Sequence, residues 1–146
     1  MPGEWTQAMR PIFAAVMAIF LVACSDPAPP QGVWEGTYEA DDVLIIARLA
    51  IAADGSARVT APNAFRNYAA MQPFERDLVR DELRAELDRS WPHVQPVRFD
   101  FDGKVFRKPG GVAPQLEWDD PKKVMTMIFY AGTSPTIRVQ MASAEN

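Results

Sequence analysis

The sequence predicts a mainly β fold of the α+β class: a small antiparallel β-barrel or curved sheet of seven or eight strands, with a helical insertion after the third strand. Three observations predict it. Short apolar–polar alternations recur through most of the chain, Asp-Gly and Gly-rich turns separate them, and one central stretch changes to a helical period.

The first strand is expected over residues 32–38, where Val33, Trp34 and Tyr38 supply β-favouring side chains. Residues 43–52 follow, with Ile45, Ala47, Leu49 and Ile51 on one face and Arg48 on the other, facing solvent or an edge. Asp54-Gly55 offers the positive-φ residue of a tight hairpin, and Ala57 and Val59 begin the return strand. Pro62-Asn63 then breaks the pattern, and residues 65–91 are expected to be helical. Phe74, Leu78, Leu83, Leu87 and Trp91 recur at three- to five-residue spacing, while Asp77/Arg80, Asp81/Arg84 and Glu86/Arg89 form i,i+3 charge pairs. Pro73 divides a short first helix from a longer second one, sitting near the N1 position of the second, and Trp91-Pro92 ends it.

The last third is β again. Val97, Phe99 and Phe101 alternate with Arg98 and Asp100, and Asp102-Gly103 turns the chain into residues 104–106. Leu116 and Trp118 lead to a polar turn at 119–123. Residues 124–130 are apolar on both faces, which suits a central strand with barrel interior or sheet on one side and the helix on the other. Gly132-Thr133-Ser134-Pro135 turns into a final strand where Ile137, Val139 and Met141 alternate with Thr136, Arg138 and Gln140.

The beginning of the chain has a different character. Residues 11–23 carry no charge, follow Arg10, and end in Leu21-Val22-Ala23-Cys24, which contains the only cysteine. A membrane-spanning helix needs roughly 17–25 apolar residues, so the run is short for a span and suits the h-region of a signal peptide. Leu-Val-Ala-Cys resembles the bacterial lipobox. That resemblance implies cleavage between Ala23 and Cys24, lipidation of Cys24, and a protein held on a membrane of the bacterial cell envelope. Ser25, rather than Asp, follows the cysteine, which by the enterobacterial sorting rule implies the outer membrane, facing the periplasm. Met9-Arg10-Pro11 makes a more conventional signal start than Met1, so translation is expected from Met9. The expected organisation is a signal peptide at 1–23, a lipidated cysteine and Pro-rich tether at 24–31, and one β-rich domain at 32–146.

Composition narrows the function classes. The 146 residues hold 15 basic and 19 acidic side chains, a net charge of −4. Removing residues 1–23 takes away one of each (Glu4 and Arg10), so the mature chain keeps that charge and is a poor match for nucleic acid. With one cysteine, and that one lipidated, no disulfide is expected.

Gly32-Val33-Trp34, with Arg138 in the last strand, resembles the lipocalin and wider calycin pattern. The resemblance implies a meandering barrel whose closure rests on Gly32, Trp34 and Arg138, the arginine packing over the tryptophan at the base. Residues 34–55 also faintly resemble the N-terminal barrel of copper-resistance and envelope-stress lipoproteins. That family's Cys-x-x-Cys is replaced here by Glu39 and Asp42, so its thiol chemistry is not implied.

Candidate chemistry is sparse. His93 is the sole histidine and belongs to a loop after the helix, leaving little for a His-based metal site or catalytic triad. Glu39-Asp41-Asp42 lacks the ligand spacing of a calcium loop, and Lys108-Pro109-Gly110-Gly111 lacks the Gly-Lys-Ser/Thr of a phosphate loop. No metal, cofactor or catalytic residue is assigned. The expected function is non-enzymatic binding of a small apolar molecule or lipid inside the barrel, lined by Trp34, Phe99, Phe101, Trp118, Met127 and Phe129. The alternative is an envelope protein–protein interaction module, docking through the helix or a sheet edge.

Overall fold

In the computed structural model the described residues are 26–40, 42–61, 65–110, 114–129 and 136–144, residues 65 and 66 by backbone alone. The signal segment with Cys24 and Ser25, Asp41, Pro62-Asn63, Gly111 and the turn at 132–135 lie outside them.

The architecture is mainly β, as expected. In chain order the strands are β1 (Gly32–Ala40), β2 (Val43–Ile51), β3 (Ser56–Thr60), β4 (Phe65–Arg66), β5 (Val97–Arg98), β6 (Asp100–Phe101), β7 (Val105–Arg107), β8 (Gln115–Asp119), β9 (Val124–Phe129) and β10 (Ile137–Ser143). One helix, α1 (Pro73–Ser90), lies between β4 and β5. Nine strands run in the antiparallel order β5-β3-β2-β1-β10-β9-β8-β7-β6, and β4 pairs with β2 off this path.

The first and last strands are neighbours, Trp34 opposite Ser143 and Glu35 opposite Ala142. The two ends of the path, β5 and β6, are separated in sequence by Phe99 alone. Val97 and Arg98 pair with β3, whereas Asp100 and Phe101 pair with β7, so one five-residue segment serves both edges and the sheet wraps into a nearly closed barrel. The sequence reads this segment as a single strand. Its division at Phe99, together with β4, accounts for the excess over seven or eight strands.

β4 corrects the expected start of the helical stretch. β3 accompanies β2 only from Arg48 to Ile51, which leaves the first residues of β2 without a partner on that side. Phe65 and Arg66 return to fill the gap, pairing with Leu44 and Val43. A single 3₁₀ turn at Tyr68–Ala70 then leads to α1. Pro73 begins that helix, and the Gln72 backbone N–H donates to Glu75 Oε2 at 2.8 Å in a capping box.

β2 is buried on both faces. Ile45, Ala47, Leu49 and Ile51 point into the barrel, while Leu44 and Ile46 pack outward against Tyr68, Leu83 and Leu87. The helix therefore covers β2, not β9 as the apolar run at 124–130 suggested. Only half of its apolar stripe is used: Leu83 and Leu87 are buried, whereas Phe74 and Leu78 are each 64% exposed. Two ion-pair ties complete the docking. Arg48 on β2 reaches Glu35 on β1 and Asp88 on α1, the latter at 2.8 Å. Arg80 donates to both Glu39 and the Tyr68 hydroxyl at 2.9 Å. Burial works against the charge on Arg48, yet its bonds to Asp88 and Glu35 prevail and raise its pKa.

We define the base of the barrel as the end where β1 begins and the mouth as the other. Asp54-Gly55 and Asp102-Gly103 turn the chain at the base with glycine φ of +79° and +98°. Pro27 lies against the second turn, within 3.3 Å of where a Gly103 Cβ would be, so this part of the Pro-rich segment follows the base rather than standing off it.

Two predictions follow from these contacts. A Cβ on Gly36 would sit 2.5 Å from the Gln140 carbonyl oxygen and 2.9 Å from Val139 Cγ1, where β1 and β10 approach. Gly36→Ala should destabilise the fold by about 1–3 kcal/mol in thermal or urea unfolding. Asp102 accepts the backbone N–H of Val105, the guanidinium of Arg107 and the backbone N–H of Lys104, which lower its pKa from 3.8 to about 2. A carboxyl with a lowered folded pKa stabilises fully above its unfolded value and loses that contribution as pH falls through the folded one. The gap in melting temperature between the parent and Asp102→Asn should therefore be open at pH 7 and close between about pH 4 and pH 2.

Candidate functional site

The barrel interior is the candidate site, and its side chains follow from strand alternation. Inward positions on β1, β2, β3, β8, β9 and β10 bring Trp34, Leu49, Ala57, Trp118, Met127 and Val139 into one apolar cluster with Phe99 and Phe106. All six residues expected to line a cavity belong to it. Trp34, Phe99, Trp118 and Met127 are buried, and Phe101 and Phe129 are partly buried against them.

The two ends of this cluster differ. At the base the Trp34 and Trp118 rings meet edge to face, centroids 6.1 Å apart and planes at 69°. Met125, opposite Trp118, and Met141, opposite Met125, fill the remaining width and are fully enclosed. Phe101, beside the turn at the base, stacks on Phe106 at 4.2 Å. At the mouth the inward side chains are apolar but only partly buried: Tyr38 near the end of β1, Val43 beginning β2, Ala61 after β3, and the Phe129–Ile137 pair joining β9 to β10. Of the six predicted residues, Phe129 is at this rim, Met127 is one inward step below, and Trp34 and Trp118 form the floor.

Arg138 does not take the barrel-closing role. It alternates outward from Val139 and Met141, is largely exposed, and pairs with Glu117 on β8. Trp34 faces inward and meets Trp118 instead. The cations that do lie over indole rings are elsewhere: Arg58 and Arg48 over Trp91, at 4.5 and 5.5 Å, and Lys123 over Trp118 at 5.8 Å. Trp91 directly follows α1, and the sequence reads it only as the last residue of the helix's apolar stripe. Its partners, on β2 and β3, could not be read without the register.

The charged candidates are accounted for by neighbours. Glu39 is held by Arg80, and Asp42 accepts the Ala69 backbone N–H at 2.7 Å. Asp119 and Asp120 are drawn below the usual carboxylate range by Lys122 and by Lys123, the Trp118 indole N–H adding to the second. His93 closes a 3₁₀ turn after α1 and is exposed. Among the described residues no group of three or more His, Cys, Asp or Glu side chains is placed to hold a metal ion. Two open clefts lie on the barrel's outer surface near the base. One, of about 510 Å³, runs past Lys104, Trp118 and Asp120; the other, of about 560 Å³, is lined by residues 31–33 and 50–53 with Ser56, Arg58 and Pro96.

The contrast between the two tryptophan assignments gives a direct test. Trp34→Ala should cost about 3–5 kcal/mol in urea unfolding, because it empties the floor of the core. Arg138→Gln should shift stability by less than about 1 kcal/mol, the ordinary worth of an exposed ion pair. A large loss in the second variant would restore the arginine to barrel closure.

No protein-family model, no curated protein and no solved structure matches this chain, so the geometry of the barrel carries the functional reading.

Proposed function

We propose that the chain is a lipid-anchored, non-enzymatic protein of the bacterial envelope whose calycin-like barrel takes up a small apolar molecule or lipid through its mouth. The observation that carries this reading is the asymmetry of the interior. Near the base Trp34 and Trp118 close over the interior, with Val97 and Phe101 partly buried beside them, whereas at the mouth five inward apolar side chains, Tyr38, Val43, Ala61, Phe129 and Ile137, are partly open to solvent. An apolar rim at one end of a barrel gains free energy when an apolar molecule covers it, at about 25 cal/mol per Å² removed from water. Phe129 and Met127 would touch such a ligand first, and Trp34, Phe99, Phe101 and Trp118 would form the floor and wall beneath it.

The lipobox at Leu21-Val22-Ala23-Cys24 supports the anchor, and Ser25 supports an outer-membrane position facing the periplasm. Among the described residues no helix is long and apolar enough to cross a membrane. A second reading, docking of an envelope partner on the helix, has one specific observation behind it. Phe74 and Leu78 are spaced i,i+4 on α1 and both project into solvent.

Native mass spectrometry tests the leading reading. The mature chain with Cys24→Ser, secreted to the periplasm by an unrelated signal peptide, should carry an adduct of lipid-like mass. Ile137→Asp, at the rim, should lose it while remaining folded. A clean apo mass together with no uptake of an apolar fluorophore would overturn the carrier and leave the helix-docking reading standing.

A further inference from the structure

The cleft of about 560 Å³ on the outer face of the barrel contains an arginine in an unusual situation. Four arginines with described side chains are partly buried: Arg48, Arg58, Arg76 and Arg80. Arg48 and Arg80 form ion pairs, and Arg76 donates to the carbonyls of Met71 and Ala69. Arg58 alone among these four has no hydrogen-bond or ion-pair partner among the described residues; its contact is with the Trp91 ring, 4.5 Å away. A guanidinium stacked on an aromatic ring keeps its in-plane N–H donors free, because stacking uses the face and hydrogen bonding the edge. These donors reach solvent, because no buried side-chain nitrogen or oxygen among the described residues lacks a partner, and they are free to close on an anion that takes two of them at once.

The surroundings select the kind of anion. No carboxylate lies among the described residues lining the cleft, and Arg58 is its only formal charge. Arg98 lies on the same outer face, directly across from Ser56 in the β3–β5 pair. The nearby Asp54 carboxylate is occupied by the Ser56 hydroxyl at 2.6 Å and its N–H at 2.9 Å. Val33, Ala50 and Pro96 add apolar side chains to its walls. A charged edge beside an apolar wall suits an amphiphile with an anionic head. Gln31 and Gly32 also line the cleft, seven and eight residues after Cys24, a reach of roughly 20–25 Å for an extended Pro-rich segment.

We propose that Arg58, placed over the Trp91 ring, binds one phosphate group in this cleft, and that the phosphate is that of a phospholipid headgroup at the bilayer surface. The site is outside the barrel and independent of the ligand in its mouth. Its position against the bilayer rests on the anchoring at Cys24 proposed above; the phosphate site itself does not.

The test uses the mature Cys24→Ser chain, so that no covalent lipid supplies the attachment. Inorganic phosphate, exchanged for chloride at constant ionic strength, should shift the Arg58 Nε–H and Trp91 indole signals in ¹⁵N NMR. Vesicles of phosphatidylcholine containing phosphatidylglycerol should sediment the protein, and phosphatidylcholine alone should do so less. Arg58→Gln should weaken vesicle binding roughly tenfold or more, the usual loss for a charged hydrogen-bonding partner. Lys108→Gln, which removes the same charge elsewhere, should leave it unchanged, and Arg58→Lys, folded but unable to stack, should bind weakly. Phosphate shifts without vesicle binding would support the site and make its ligand a free phosphate. The proposal is overturned if phosphate leaves Arg58 unmoved and Arg58→Gln binds anionic vesicles as the parent does. Anchoring fails separately, if the wild-type chain recovered from membranes carries no diacylglyceryl mass at Cys24.

Discussion

The barrel depends on hydrogen bonds at one short segment. A curved sheet leaves two edges with unpaired backbone groups, and Val97–Arg98 and Asp100–Phe101 satisfy one edge each. Phe99 between them must cross from one pairing to the other, and it does so with its ring buried in the core. The same few residues therefore close the sheet and pin its interior. Everything that gives the interior an inside, including the meeting of Trp34 and Trp118, requires that crossing.

Closure alone does not explain why the helix docks where it does. β2 carries apolar side chains on both faces, and Leu44 and Ile46 would lie in water without α1. Burying residues of this size contributes about 1.5–3 kcal/mol each, more than the ion pairs beside them. Arg48 and Arg80 instead fix the orientation, one at each half of the helix. The insertion after β3 is thus an outer layer over one strand, and the meander of the barrel continues beneath it.

Much of this was legible in the sequence. Alternation located the long strands within one or two residues, Asp-Gly marked two of the turns at the base, and Pro73 marked the first helical residue. What could not be read depended on which strand lies beside which. Phe65 carries the same apolar character as a helix residue, and only the vacancy beside Leu44 makes it a strand. Arg138 resembles a closing arginine by position in the chain, but register turns it outward to Glu117. The six residues expected inside the barrel do gather there, because period-two alternation fixes a face even when the neighbours are unknown. Arg58 and Trp91 gave no such signal, being separated by the whole helical insertion.

The barrel has a direction as a result. Gly32, which joins residues 26–31 to the sheet, starts at the base, where Trp34 and Trp118 meet and Pro27 lies along the turn at Gly103. The partly open apolar rim is at the opposite end, as is the start of α1 with its exposed Phe74. A chain tethered through residues 24–31 would therefore hold its sealed end to the bilayer and its open end away from it. Apolar surface turned away from a membrane gains nothing from the lipid nearby. Its free energy is lowered only by something that arrives from the aqueous side, which is where a carried molecule, or a partner docking on the helix, would come from.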